Sequence, residues 1–280
     1  MKIFDGKKLA DKIAAELKTE IDKLGRRNIV PNLVIIAVEP DERSRAYIKA
    51  KVIRAKDIGI KTEVILKSTE SIGHVKTILA EIAEDESVHG IIVQLPLPSH
   101  FNEQELIDFI PPEKDVDGLT TTSAKLLTKD SALFTPATPL AILEILKRNN
   151  INITDKTIAI IGQGKLVGAP LVKILEGYQA KVLTADKTAR DLTSITQNAD
   201  IIISAAGQPK LIKAEMIKDG ATVIDAGISI VGGKSVGDVD FDNVAPKVSF
   251  ITPVVGGVGP MTVMMLMQNV ITAARRTIET

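Results

Sequence analysis

Two regions of this 280-residue chain carry residue types at spacings that could do chemistry. In the second half, the apolar run Thr157–Ile161 leads into Gly162-Gln163-Gly164-Lys165-Leu166-Val167-Gly168, then a helix-forming stretch to about Gly177. A strand, a glycine turn and a helix in that order bring peptide N–H groups close to a pyrophosphate. Glycine has no Cβ to block the approach, and a helix N-terminus favours negative charge. A second apolar run, Lys181–Thr184, is followed by Asp186, where a carboxylate can accept hydrogen bonds from an adenosine ribose. A dinucleotide is therefore the first ligand to consider for Gly162, Gln163, Gly164, Gly168 and Asp186. The glycine pattern is G-x-G-x-x-x-G rather than G-x-G-x-x-G, so the bare motif fits an ordinary tight βα turn equally well.

The first half offers side chains rather than backbone. Tyr47 and Lys51 stand four residues apart on one face of a helix, where a phenol and an ammonium can meet a single ligand; with Lys49, Arg54 and Lys56 nearby, a basic surface helix is the alternative. Gln94 ends an apolar run and precedes Leu95-Pro96-Leu97-Pro98, so its amide stands at a strand end held by a stiff loop, for a ligand or for buried backbone groups. Lys114-Asp115-Val116-Asp117-Gly118 sets two carboxylates at a turn, as ligand groups or as a solvated Asx-turn. Near the end, the loop Thr252 to Thr262, with Pro253, Gly256 and Gly257, enters a helix. It is either punctuation or backbone approaching something flat or charged.

The intervening periodicity says what positions these groups. Leu9, Ile13, Leu17, Ile21 and Leu24 mark an amphipathic helix ending near Gly25. Strands at Leu33–Val38, Thr62–Leu66 and Gly90–Gln94 alternate with helices over about Ser44–Ile58 and Ile72–Glu84. Prolines 96, 98, 111 and 112 interrupt the pattern, and a helix from Pro139 to about Asn149 leads into a second alternating series. Its strands are Thr157–Ile161, Lys181–Thr184, Asp200–Ser204 and Thr222–Asp225, with Val248–Ile251 as one more. Short apolar strands alternating with helices mean parallel sheets covered on both faces. A last helix, Pro260 to Ile278, carries apolar residues that would pack back on the first series. The expected layout is α/β in two domains, residues 1–138 with 260–280 and residues 139–259, the second Rossmann-like.

Composition narrows the partners. Thirty-five basic residues balance 35 acidic ones and aromatics are 3%, so neither a basic field nor stacking platforms for nucleic acid are expected. The chain has no cysteine, which removes disulfides, thiol nucleophiles and thiolate metal ligands and fits a reducing compartment. His74, His89 and His100 lie in unrelated segments, so no metal site is expected. Asp5, Lys7, Lys8, Asp11 and Lys12 occupy the place of a signal peptide's apolar stretch, and no run is long enough to span a bilayer. A cytoplasmic protein without membrane partners is the expectation.

Seven motifs in order carry a resemblance. Y-x-x-x-K at Tyr47–Lys51, V-Q-L-P-L-P at Val93–Pro98, K-D-V-D-G at Lys114–Gly118, V-G-x-P at Val167–Pro170, G-Q-P at Gly207–Pro209, G-D-V at Gly237–Val239 and G-G-V-G-P-M-T at Gly256–Thr262 together resemble the FolD family. These are bifunctional methylenetetrahydrofolate dehydrogenases/methenyltetrahydrofolate cyclohydrolases, and the likeness runs end to end. It implies a cleft between the two domains, tetrahydrofolate derivatives as substrates, NAD or NADP as cofactor, and a homodimer. It also implies hydride transfer from 5,10-methylenetetrahydrofolate, then hydrolysis of the methenyl cation to 10-formyltetrahydrofolate. Hydride loss leaves a cation stabilised by two nitrogens, so the first step needs alignment more than acid or base; water attack needs proton transfer.

By resemblance, Lys51 is the catalytic lysine, its pKa lowered by desolvation and a neighbouring cation, and Gln94 holds its amine. Tyr47 stacks on the folate, Asp117 takes paired hydrogen bonds from the pterin, and Pro253, Gly256 and Gly257 line the aminobenzoyl path. Ile228 joins the cofactor residues. The sequence departs from the family at Gly162-Gln163-Gly164, where many relatives have G-R-S, and at Asp186-Lys187, where they have a polar or basic residue. An acid there favours NAD over NADP, although Lys165, Lys187 and Arg190 could reach a phosphate. Glu39 and Ala137 lie at further departures. The competing readings are a cyclohydrolase with weak or lost dehydrogenase activity, a non-catalytic folate- or nucleotide-binding regulator, and another two-domain dehydrogenase acting on a small hydroxy acid. The last has no use for Lys114–Gly118 or Gly256–Thr262.

Overall fold

The computed structural model describes residues 1–68, 71–127, 132–186, 189 and 191–278. Along the first half the elements are β1 Lys2–Ile3, α1 Gly6–Gly25, β2 Asn32–Val38, α2 Glu42–Ile58, β3 Lys61–Lys67, α3 Ile72–Glu84, β4 Gly90–Val93, α4 Glu103–Ile107, α5 Thr121–Leu126 and α6 Ala137–Arg148. There follow β5 Thr157–Ile161, α7 Gly168–Glu176, β6 Lys181–Ala185, α8 Leu192–Gln197, β7 Ile201–Ser204, β8 Thr222–Asp225, the hairpin β9 Ser229–Val231 and β10 Lys234–Val236, α9 Phe241–Val244, β11 Phe250–Ile251 and α10 Val258–Arg276. No described helix is long and apolar enough to cross a membrane.

The described chain forms two compact units, one of residues 1–10 and 138–262, the other of residues 11–127, 132–137 and 263–278. The second is built on a three-stranded parallel sheet in the order β3-β2-β4. All seven residues of β2 are buried, as an apolar run with helices on both faces requires. From β2 the chain crosses through α2 to β3 on one side, then through α3 to β4 on the other. The carboxyl ends of β2 and β4 are thus a topological switch point, where open parallel sheets hold their ligands. Helix α2 starts at Glu42 because the Asp41 side chain accepts the Ser44 N–H, and stops at Gly59, whose φ of 99° suits glycine best.

The first unit carries a six-stranded sheet in the order β1-β11-β8-β7-β5-β6, every pair parallel. The chain leaves β5 for β6 on one side and returns to β7 on the other, so the carboxyl ends of β5 and β7 are its switch point. Sequence periodicity groups residues 1–10 with the rest of 1–138; they cluster instead with this sheet. The reason is β1, which pairs with β11 and sets Phe4 against Phe250 at 5.7 Å between ring centroids. A two-residue strand has no period to read.

In the three-stranded unit, Asn269 on α10 is buried, and its amide nitrogen donates to the Val116 carbonyl at 2.8 Å and the Thr135 carbonyl at 2.9 Å. These two bonds clamp the Lys114–Gly118 turn. Replacing Asn269 with Ala leaves both carbonyls without that donor, and the expected loss is about 1–3 kcal/mol of unfolding free energy in a urea titration; an unchanged midpoint would show that the clamp contributes nothing.

Candidate functional site

Lys51 lies on α2 with its side chain turned into the three-stranded unit, and only 3% of the residue is exposed. Its Nζ donates to Gln94 Oε1 at 3.0 Å and stands 4.5 Å from the centre of the Tyr47 ring, one helical turn away. The basic-surface alternative for this helix therefore fails at Lys51, which points inward, while Lys49 and Lys56 stay exposed. The amine thus lies over one face of Tyr47, a cation–π contact.

Gln94 is held so that its oxygen faces the amine. Its N–H extends the sheet by donating to the Ile36 carbonyl at 2.8 Å, and its side-chain nitrogen donates to the Leu95 carbonyl at 2.7 Å. With the nitrogen committed, Oε1 is left for Lys51. Burial lowers the Lys51 pKa below the ordinary lysine value, while the nearby Asp117 carboxylate pulls the other way. Burial likewise raises Asp117, opposed by the Lys51 charge and by the Ala137 N–H. The Tyr47 phenol is raised, first by burial and then by Asp117.

The two carboxylates of Lys114–Gly118 divide the work. Asp115, 1% exposed, accepts the Leu119 N–H at 3.1 Å and the Thr120 N–H at 2.9 Å, the Asx-type role. Lys114 Nζ donates to the carbonyls of Ala83 and Asp85, both at 2.7 Å, closing the end of α3. Gly118 has a φ of 67°. That leaves Asp117 as the carboxylate of the pair that interacts with Lys51. Lys51, Gln94, Tyr47 and Asp117 thus come together in one unit.

Pro253, Gly256 and Gly257 belong to the six-stranded unit. There the Gly6 N–H donates to the Gly256 carbonyl at 2.8 Å, and a Cβ on Gly257 would stand 2.0 Å from the Pro253 oxygen. Gly257 is therefore needed for packing, whereas Gly256, with φ 80°, faces open space.

The glycine turn after β5 sorts in the same way. A Cβ on Gly162, which has φ 94°, would meet the Ala205 oxygen at 2.5 Å, and one on Gly168 would meet the Gly162 oxygen at 1.8 Å. Gly164, and Gly207 after β7, have nothing within 4 Å of where a Cβ would be. Two glycines thus let backbone meet backbone, and two leave backbone open at the switch point, as a dinucleotide cradle requires. Gln163 turns back on its own turn, donating to the Ile160 and Gly162 carbonyls at 3.4 Å. Asp186 is exposed at the end of β6 and follows Ala185, whose carbonyl accepts the Gly162 N–H at 2.8 Å. Ile228, 40% exposed, immediately precedes β9. Lys187 and Arg190 lie outside the described residues.

Sequence reasoning assigned no role to Asp225 and Asp238, which are 3% and 0% exposed. Asp238 accepts from Ser204 Oγ at 2.9 Å and from the N–H groups of Ala206, Gly207 and Gln208 at 2.6, 3.2 and 2.8 Å. Asp225 accepts the N–H groups of Gly227, Asp238 and Val239 at 3.0–3.2 Å. Part of the signal was there to read: Asp225 ends an apolar run, and each carboxylate has a glycine within two residues, in Asp225-Ala-Gly227 and Gly237-Asp238.

Comparison with known proteins covers nearly the whole chain. The family model described as tetrahydrofolate dehydrogenase/cyclohydrolase, catalytic domain, matches residues 4–117, and the corresponding NAD(P)-binding domain matches residues 136–278. The bifunctional protein FolD of Hydrogenobaculum sp. (strain Y04AAS1) is 45% identical, over 99% of this chain and 100% of that one. The chain belongs to the tetrahydrofolate dehydrogenase/cyclohydrolase family. Among solved structures, the FolD enzyme of Campylobacter jejuni superposes with a TM-score of 0.95 at 37% identity, covering 99% of both chains. The FolD enzyme of Trypanosoma brucei, complexed with NADP cofactor and inhibitor, gives 0.95 at 33%, covering 100% of this chain and 99% of its own. The NAD(P)-binding domain of the family thus corresponds here to the six-stranded sheet with its glycine turn, and the catalytic domain contains Lys51, Gln94, Tyr47 and Asp117.

Within this NAD(P)-binding sheet, burial beside Asp238 raises the Asp225 carboxyl to about 7, against the three N–H bonds that favour its charged form. Its folded pKa lies above the 3.8 of an exposed aspartate, so the stability it contributes is full below about pH 4 and is lost as pH rises to about 7. In urea titrations the wild type should lose stability relative to Asp225→Asn across that window, by up to about 1.4 kcal/mol per pH unit. A difference independent of pH would mean that Asp225 is ionised throughout.

Proposed function

We propose that this chain oxidises 5,10-methylenetetrahydrofolate with a nicotinamide dinucleotide and hydrolyses the resulting methenyl cation to 10-formyltetrahydrofolate. The observation that carries this reading is the buried Lys51 amine, held by Gln94 and facing Asp117, in a chain of the FolD kind. A binding protein has no need of a desolvated amine.

The nicotinamide, when bound, supplies the hydride acceptor for the first step. The chain's part in that step is placement. Gly164 leaves open backbone for the dinucleotide, Gly207 adds no side chain to obstruct it, Asp186 stands beside the turn for its ribose, and Ile228 offers an apolar edge. Asp117 is suited to the paired N–H donors of the pterin edge and Tyr47 to its flat face. Pro253, Gly256 and Gly257 are assigned to the aminobenzoyl portion by resemblance.

Hydrolysis needs a base and then an acid. Neutral Lys51 accepts a proton as water forms its C–O bond to the methenyl carbon. The resulting ammonium returns that proton to the pterin nitrogen as the C–N bond breaks, and the second proton of water leaves when the formyl group forms. Burial lowers the Lys51 pKa, which raises the neutral fraction that the first transfer requires. The Gln94 oxygen accepts from Nζ and so aims the amine.

For the cofactor, we favour NAD over NADP. Asp186 follows the residue hydrogen-bonded to Gly162, and a carboxylate there repels a 2′-phosphate while accepting from free ribose hydroxyls. By family resemblance we assign the protein to the cytoplasm as a homodimer.

Two experiments test these assignments. Lys51→Met should reduce hydrolysis of the methenyl substrate by about 10²-fold or more and leave folate binding measurable; undiminished turnover would remove the amine from the mechanism. Asp186→Ser, assayed side by side with NAD and NADP, should shift preference towards NADP by about tenfold or more, since the change removes a like charge that disfavours the 2′-phosphate. An unmoved preference would place the carboxylate away from the ribose.

A further inference from the structure

The loop after β7 is an anion-binding nest whose anion belongs to the protein. Three successive N–H groups, those of Ala206, Gly207 and Gln208, converge on the Asp238 carboxylate, and Ser204 Oγ adds a fourth donor. Consecutive amides arranged this way form a concavity that takes phosphates when it is empty. Here a buried side chain fills it, which leaves the glycine turn after β5 as the amide-lined turn for a pyrophosphate at this switch point.

Filling the nest also fixes where the loop stands. Ala205 donates to the Ile161 carbonyl at 2.7 Å, and the Ala205 oxygen lies where a Cβ on Gly162 would be, 2.5 Å away. The loop is therefore in backbone contact with the first glycine of the turn. Asp238 is in turn anchored by Asp225, which accepts its N–H at 3.2 Å. Both carboxylates reach backbone only because glycines give them room. A Cβ on Gly227 would stand 2.1 Å from the Asp238 carboxyl carbon, and one on Gly237 would stand 2.0 Å from an Asp225 oxygen. From the hairpin side, Ser229 Oγ donates to the Gly207 carbonyl at 3.1 Å.

We propose that Asp238, anchored by Asp225, is a positioning residue for dinucleotide binding: it occupies the nest of Ala206–Gln208 and so holds that loop against the Gly162–Gly168 turn. The inference rests on the reading of this unit as the NAD(P)-binding unit. It assigns a task to the G-Q-P and G-D-V motifs, which lie in the six-stranded unit. It also explains why the position needs a carboxylate. One oxygen takes Ser204, Ala206 and Gly207 and the other takes Gln208, so an asparagine, with a donor in place of one oxygen, turns at least one N–H against another.

The test measures dissociation constants for NAD and NADP by calorimetry on the wild type and on Asp238→Asn, with far-UV circular dichroism to establish folding and tetrahydrofolate affinity as the comparison. The expected result is a roughly tenfold or greater weakening for both dinucleotides alike, since charge-assisted bonds to the loop are lost, with tetrahydrofolate affinity unchanged. A folded variant that binds both dinucleotides as tightly as the wild type overturns the inference. A wild type that binds neither overturns the dinucleotide reading itself, which is a different result. Amide hydrogen exchange on the wild type covers the case in which the variant does not fold. The N–H groups of 206–208 should already be protected without dinucleotide and change by less than about threefold on its addition, while those of 163–168 slow. Rapid exchange at 206–208 that slows on adding NAD would mean the nest opens to the ligand, and Asp238 does not fill it.

Discussion

An amine inside a protein is unstable as a cation unless something replaces the water it has lost, and the organisation of the catalytic unit follows from that constraint at Lys51. Gln94 accepts from the amine, the Tyr47 ring lies beneath it, and Asp117 supplies an opposing charge. None of these partners is loosely held. Gln94 continues the ladder of β4 and spends its side-chain nitrogen on Leu95, while Asp117 sits on a turn that Asp115, Lys114, Gly118 and Asn269 each fix by a different contact. The turn spends five residues to place one carboxylate.

The NAD(P)-binding unit solves a different problem with backbone. At its switch point, Gly162 and Gly168 allow main chain to touch main chain, and Gly164 and Gly207 leave main chain uncovered. The same residue type thus serves packing at two positions and access at two others. The buried carboxylates of Asp225 and Asp238 complete the arrangement by absorbing N–H groups that the loops would otherwise leave unpaired.

Much of this was legible in the sequence, for reasons that differ by feature. Apart from β1, the strands of both sheets are short runs rich in apolar residues, so their existence and most of their limits followed from the sequence pattern. Lys51 and Gln94 were legible as candidates, but spacing could not say whether Lys51 faces water or the interior. The answer came from which face of α2 packs. Asp115 and Asp117 could not be told apart for the same reason, since a pentapeptide does not reveal which carboxylate its own turn will consume. Strand β1 and the hairpin β9–β10 were missed because two or three residues carry no period, and Asp225 and Asp238 because their partners are backbone N–H groups supplied by distant loops. Membership of the family rests on firmer ground, since its motifs run in order from Tyr47 to Thr262 and the comparisons cover the chain end to end.

The central claim is that the three-stranded unit keeps the Lys51 amine desolvated, so that it is neutral more often than an exposed lysine. The most direct measurement is an NMR titration of the Lys51 side chain, followed at Cε with selectively labelled lysine and assigned by comparison with Lys51→Met. The account predicts a midpoint below the ordinary lysine value of 10.5 and a rise towards that value when Gln94 is replaced by a smaller residue that admits water. A midpoint at or above 10.5 in the wild type would mean that the Asp117 charge outweighs burial, and that this amine is a permanent cation rather than a base.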